Sequence, residues 1–306
     1  MKRREFISSS VKAGVLGGAV LSLGQFSSLF PSSLFFTKDY DLAAIKGAEP
    51  DTMFDEAIKA FGGMKKFVKA GQTVVVKPNI GWDVIPERAA NTNPLLVSRI
   101  IRHCFDAGAK NVYVFDHTCD NWRKTYSNSG IERAVNDAKG KIVSGESESY
   151  YQEVTVKHGK KLKKAKVHEL ILESDVFINV PVLKHHDSTE LTAGMKNLMG
   201  IVWDRGFWHQ NDLHQCIADF AAFRKPDLTV VDAYNVMKRN GPRGVSKGDL
   251  VTMKSLLMST DIVAADAAAA KLFGKNPSDI DYIRIADTMK AGTMKLESLS
   301  IYKKIF

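Results

Sequence analysis

An apolar run, VFINVPVL (Val176 to Leu183), is followed without a spacer by Lys184, His185, His186 and Asp187, and soon after by Thr192, Gly194, Lys196, Asn197 and Gly200. A buried strand that ends this way gathers cations, imidazoles and a hydroxyl at one point. Lysine ammonium groups are compact charges suited to carboxylate or phosphate. Glycines at 194 and 200 permit close backbone approach, and a helix starting there would add amide donors. Lys77 and Asn79 close a second β-branched run, TVVVKPN, in the same manner. Lys77, Asn79, Lys184, Thr192, Lys196 and Asn197 are therefore the expected holders of a small anionic substrate or cofactor.

Histidines form a second theme. His185 adjoins His186, while His209 and His214 flank Asp212 in WHQNDLH. Imidazole titrates near neutral pH, so His185, His186 and His214 are candidates for moving protons. Imidazole and carboxylate together also suit a divalent transition metal, with His185, His209, His214 and Asp232 as candidate ligands. No H-E-x-x-H, Walker loop, nucleophile elbow or G-x-G-x-x-G is present, so those mechanisms find no support. Cys104, Cys119 and Cys216 include no C-x-x-C pair. They cannot supply the four thiolates of an ordinary iron–sulfur cluster, and none is expected.

Such residues act together only if the elements carrying them converge. Strand-like and helical runs alternate along the chain. Leu42 to Lys46, TVVVKPN, NVYVFD (Asn111 to Asp116), VFINVPVL, LTVVDA (Leu228 to Ala233) and SLLMS (Ser255 to Ser259) are apolar or β-branched. Helical spacing covers Thr52 to Phe61, Pro94 to Phe105, Glu132 to Lys139, the neighbourhood of Met195, Leu213 to Phe223, Ile262 to Phe273 and Pro277 to Met289. The pattern predicts an α/β fold: a mostly parallel, doubly wound sheet with helices on both faces, and a small hairpin from Val154 to Val167 turning at His158-Gly159. Ligands of such sheets bind beyond the carboxyl ends of the strands. Lys77 and Asn79, Asp116 and His117, Lys184 to Asp187, Asp232, and Asp261 all follow or close a strand, so five strand ends are expected to converge. NGPRG, Asn240 to Gly244, reads as a tight turn bordering that site.

The first residues, MKRREFISSS, place Arg3 and Arg4 before Glu5, Phe6 and Ile7 as a twin-arginine export signal does. A mildly apolar Gly- and Ser-rich stretch follows, with no clean A-x-A cleavage site. Residues 1–36 are thus expected to be a signal or anchor, and residues 37–306 a single α/β domain. The protein is expected in the periplasm or cell envelope, with the twin-arginine translocase as a partner and peripheral or anchored association with the membrane. The formal net charge of +9 suits anionic ligands or an anionic envelope surface. The densest basic run, KHGKKLKKAK (Lys157 to Lys166), reads as a solvated hairpin, and no nucleic-acid partner is expected.

The order KPN, NTNP, NVPVLKHH, TAGMKNLMG, the later His214, PDLTVVDA, NGPRG and TDIVAADA resembles the domain of unknown function 362 family, from about Thr73 to Phe273. Many members carry ferredoxin-like cysteine clusters; the three scattered cysteines here depart from that pattern, and the cluster is not carried over. TELTAGMKNLMGI is also similar to the glycine-rich, lysine-bearing stretch of the nickel-pincer lactate racemase amino-terminal domain. There the lysine after two glycines anchors the cofactor covalently, and Lys196 occupies its place. Ala193 stands for one glycine, and Met199 for a proline before the final glycine.

Two functions fit these residues. One is an enzyme acting on a small anionic substrate, with Lys184 and Lys196 holding the anion and a histidine moving protons. The other is a module that carries a metal or anionic cofactor without turnover.

Overall fold

The structure, a computed structural model, describes residues 39–306 together with Phe26 and residues 28–30. The twin-arginine motif lies outside the described residues. Phe26 and Phe30, within the segment set apart from the fold, are buried in the same core as Leu42 and Ala44.

Twelve strands are formed among the described residues: β1 (Leu42–Lys46), β2 (Thr73–Pro78), β3 (Asn111–Val114), β4 (Lys141–Ile142), β5 (Tyr151–Thr155), β6 (Lys164–His168), β7 (Val176–Val180), β8 (Val182–His186), β9 (Glu190–Thr192), β10 (Leu228–Met237), β11 (Leu250–Ser259) and β12 (Ile301–Ile305). Ten of them make one sheet, in the order β12-β1-β11-β10-β7-β2-β3-β4, with β8 added beside β10 and β9 beside β8. The run β10-β7-β2-β3-β4 is parallel throughout. β5 and β6 form the separate hairpin.

Continuous apolar runs are what a sheet covered on both faces requires. Side chains alternate between the two faces: Val75 enters one core with helices Leu213–Phe223, Ile262–Phe273 and Asp281–Thr288. Val74 and Val76 enter the other, with helices Pro50–Ala60, Pro94–Asp106 and Ile131–Asp137. Each such fully buried Val or Ile contributes about 1.5–3 kcal/mol of transfer free energy. Asn93 caps the second of the opposite-face helices, its side chain accepting from Leu95 N–H at 2.9 Å, and Pro94 occupies the tolerated first turn.

Three expectations are corrected. VFINVPVL is two strands, because Pro181 has no N–H to give the ladder. The chain leaves the slot between β2 and β10 there and continues as β8. LTVVDA and SLLMS extend into the ten-residue strands β10 and β11, which form an antiparallel hairpin. Because β11 runs backwards, Asp261 emerges at the edge opposite Lys77. There it caps helix Ile262–Phe273, accepting from Val263 and Ala264 N–H. The final helical run splits into a short turn, Pro277–Asp279, and helix Asp281–Thr288.

Candidate functional site

The chain from Ala193 to Ile201 crosses the carboxyl ends of β2 and β7 as two short helical turns, Gly194–Asn197 and Leu198–Ile201. Asp266, buried in helix Ile262–Phe273, fixes its start by accepting from Gly194 N–H at 2.5 Å and Met195 N–H at 3.0 Å. Those amides serve an internal carboxylate, so the expected amide donors to a ligand are spent. Burial pushes the Asp266 carboxyl up to about 7, against the pull of its two N–H donors. A β-carbon on Gly194 would stand 2.7 Å from the same carboxylate, which explains the glycine by space alone.

Asn197 ties this segment to the strand ends. Its Oδ1 accepts from Lys77 Nζ at 2.8 Å and Asn79 Nδ2 at 3.1 Å. Its Nδ2 donates to Asn179 Oδ1 at 2.9 Å and to the Lys77 carbonyl at 3.3 Å. With donors and acceptors all used, the side-chain amide has one orientation. Lys77 is also ion-paired with Asp116 at 2.9 Å, both almost fully buried, and Asp116 Oδ2 accepts from Ile80 N–H at 2.7 Å. Lys77 thus has its anion within the protein and supports the site instead of presenting a free charge.

A cavity of about 350 Å³ opens over this network. Lys184 enters it from β8, 1% exposed, its Nζ donating to Asn79 Oδ1 at 3.1 Å and to the Ala90 carbonyl. Lys196 lines it from the Gly194–Asn197 turn, 8% exposed, and the one hydrogen-bond acceptor its Nζ finds among the described residues is the Met199 sulfur at 3.4 Å. Burial lowers Lys184 to about 7, with Lys196 and Lys77 adding repulsion, and lowers Lys196 to about 8, with Arg205 adding repulsion. Thr192 lines the same space, its hydroxyl buried and without a partner among the described residues. The expected anion-holding residues, Lys77, Asn79, Lys184, Thr192, Lys196 and Asn197, all meet here.

The histidines divide. On β8, Lys184 and His186 face the cavity while His185 faces away, as strand alternation demands. His185 Nδ1 instead accepts from Gly241 N–H at 3.2 Å. His186 Nδ1 accepts from Ser188 N–H at 3.1 Å, which assigns the ring proton to Nε2. Burial first, and then Lys196 and Lys184, hold its pKa down at about 3. His186 is therefore held neutral, with its ring proton on Nε2. His209, on helix Gly206–Gln210, lines the cavity, its pKa lowered by burial and by Lys196 and Arg205. His214 is not there: its ring stacks on Tyr282 with centroids 6.2 Å apart.

Asp232 is not free either. Its carboxylate accepts from Asn93 N–H at 2.8 Å and Tyr234 N–H at 3.0 Å, and burial raises its pKa to about 6. The expected metal set of His185, His209, His214 and Asp232 is thus not assembled. Among the described residues no three His, Cys, Asp or Glu side chains stand close enough to share an ion.

Further residues line the cavity or brace its rim. Arg205 donates to the carbonyls of His117 and Thr118, fixing the rim, and His117 stacks on Trp203 at 4.9 Å. Cys119 is exposed at the mouth. Pro242, from the NGPRG turn, borders the cavity as expected. Asp116 and His117 were legible as a polar strand end; Arg205 and Cys119 carried no such signal.

Comparison with known proteins agrees with this architecture. The lactate racemase apoprotein from Thermoanaerobacterium thermosaccharolyticum superposes with a TM-score of 0.50 at 13% identity, over 82% of this chain and 62% of the racemase, a likeness of fold. The chain thus spans less than two thirds of that racemase's length. A thylakoid-associated protein of Synechocystis sp. is 26% identical over 73% of this chain and 70% of its own length. No helix among the described residues is long and apolar enough to cross a membrane. The family described as domain of unknown function (DUF362) matches residues 74–271, about two thirds of the chain, and the protein belongs to it.

Proposed function

We propose that the strand-end cavity binds a small anionic substrate of the carboxylate or phosphate class, and that the protein is an enzyme acting on it. The observation that carries this reading is Lys196: a buried ammonium whose sole acceptor among the described residues is a thioether. Removing an unpaired charge from water costs several kcal/mol, so folding by itself does not favour the arrangement. An incoming anion offsets that cost, and Lys184, the His186 Nε2–H and the Thr192 hydroxyl offer it further donors. A non-catalytic carrier of an anionic cofactor is the second reading, supported by His186, which offers a donor and no base. The export reading belongs to the same proposal, with the site working in the cell envelope. It rests on Arg3 and Arg4: replacing both by Lys should leave the protein in the cytoplasm, and unchanged envelope fractionation of that variant would overturn it.

Thermal unfolding tests the site. Phosphate or lactate should raise the midpoint of the parent protein. Lys196→Met should unfold at the same temperature as the parent or higher, and should lose that response. A variant that unfolds well below the parent, together with a parent that no anion stabilises, would make Lys196 a structural residue and remove the site.

A further inference from the structure

We propose that the Lys196 amine forms an imine with the carbonyl of a small 2-oxo acid whose carboxylate is held by Lys184 and His186. This rests on the anion-site reading above and names its substrate class. The three lysines of the site differ in one respect. Lys77 and Lys184 are each pinned by oxygen acceptors: Asp116 and Asn197 for the first, Asn79 and Ala90 for the second. Their nitrogens are held in place by those oxygens. Lys196 has no oxygen acceptor among the described residues, yet it is more than nine-tenths buried and faces the cavity. Among the described residues its charged form finds no carboxylate or carbonyl, only the Met199 sulfur as an acceptor and the Cys119 thiol as a nearby acidic group. That is the setting of a nucleophilic lysine: a desolvated amine beside other cations.

The surrounding groups match the rest of a 2-oxo acid. Lys184 retains a donor beyond its two contacts, His186 lines the cavity with its ring proton on Nε2, and together they suit a carboxylate. The unpartnered Thr192 hydroxyl is left for the carbonyl oxygen. In the reaction, the neutral Lys196 amine adds to the carbonyl carbon; a C–N bond forms and the oxygen takes a proton from the Lys184 ammonium. Lys184, now neutral, removes one proton from the adduct nitrogen and passes it to the hydroxyl. The C–O bond breaks, water leaves, and the nitrogen lone pair closes the C=N bond of a protonated imine. The net change is amine plus carbonyl plus the Lys184 proton giving iminium plus water, with no redox partner. A lysine lowered to about 8 has a usable neutral fraction near pH 7, and one lowered to about 7 donates a proton readily.

Reductive trapping tests this. The full chain is incubated with pyruvate and cyanoborohydride, followed by intact-mass measurement and peptide mapping, with lactate as the anion lacking a carbonyl. The expected result is one adduct, on Lys196, formed at least tenfold faster than on any other lysine. Lys196→Arg, which keeps a cation, should lose the adduct yet retain a midpoint shift with lactate. If pyruvate and lactate stabilise the parent equally and no adduct forms at Lys196, the imine is wrong and the anion site stands. If neither anion shifts the midpoint and no adduct forms, both readings fall.

Discussion

The α-carbon of Gly200 lies against the carboxylate of Asp116 so closely that a β-carbon would stand 1.7 Å from Oδ1 and 2.7 Å from Lys77 Nζ. The glycine is required by space, and its backbone is otherwise ordinary. Its carbonyl accepts from His117 N–H at 2.9 Å, so this approach holds the 193–201 segment onto the end of β3. Gly200→Ala must push the buried ion pair apart or lift the segment. Overpacking alone costs about 1–3 kcal/mol, and disturbing the pair adds to it. A loss of about 3 kcal/mol is expected by urea denaturation. A change below half of that would mean the segment moves freely.

Lys77 and Asp116 give the next prediction. Lys77→Met alone leaves a buried carboxylate with only the Ile80 N–H, and should cost about 3–5 kcal/mol. Adding Asp116→Leu should recover most of that loss, since replacing both partners of a buried pair by apolar groups is often neutral. If the double variant is no more stable than the single one, the pair does more than neutralise itself.

Much of the frame was legible, for a physical reason. Runs such as TVVVKPN and helices such as Ile262 to Phe273 are fixed by local periodicity, so their place on the sheet follows from composition. The two-way roles of side chains were less so. Asp232 and Asp116 look alike in sequence, each closing an apolar strand, yet one holds backbone amides of the Asn93 turn and the other a lysine. Asp261 was misplaced because the direction of β11 depends on a hairpin, and direction leaves no trace in a strand's own residues. His214 was drawn into the site by its neighbour Asp212, but it is the second residue of helix Leu213–Phe223 and its ring meets Tyr282.

Asp232 therefore supplies a test of that division. If it is structural, Asp232→Ala strands the amides of Asn93 and Tyr234 and should cost about 1–3 kcal/mol, the usual penalty for unsatisfied buried groups. Its response to phosphate should match the parent's. Loss of the response with stability intact would return Asp232 to the ligand site.

The lowered lysines make stability and ligand binding depend on pH in opposite directions. In the folded protein Lys184 titrates at about 7 and Lys196 at about 8, against 10.5 in the unfolded chain. Between these values the unfolded state binds more protons, so stability without ligand rises with pH. The stabilisation is complete only above about 10.5 and is lost as pH falls through 8 and then 7. Lys238, lowered to about 8 by burial and not lining the cavity, adds a parallel rise, so between pH 7 and 9 the site is read from the difference between the parent and its Lys184→Met and Lys196→Met variants. Below that window Asp266, raised to about 7, runs the other way, and above it the buried thiol of Cys104, shifted upward by burial, begins to count. An anion needs the ammonium forms, so its affinity must fall over the same window. Urea midpoints measured from pH 7 to 9 should climb without phosphate, and the extra stabilisation from saturating phosphate should shrink. Lys196→Met and Lys184→Met should each flatten both trends. If the parent's midpoint is level across the window while phosphate binding is unchanged, neither lysine is desolvated, and the cavity is open to water.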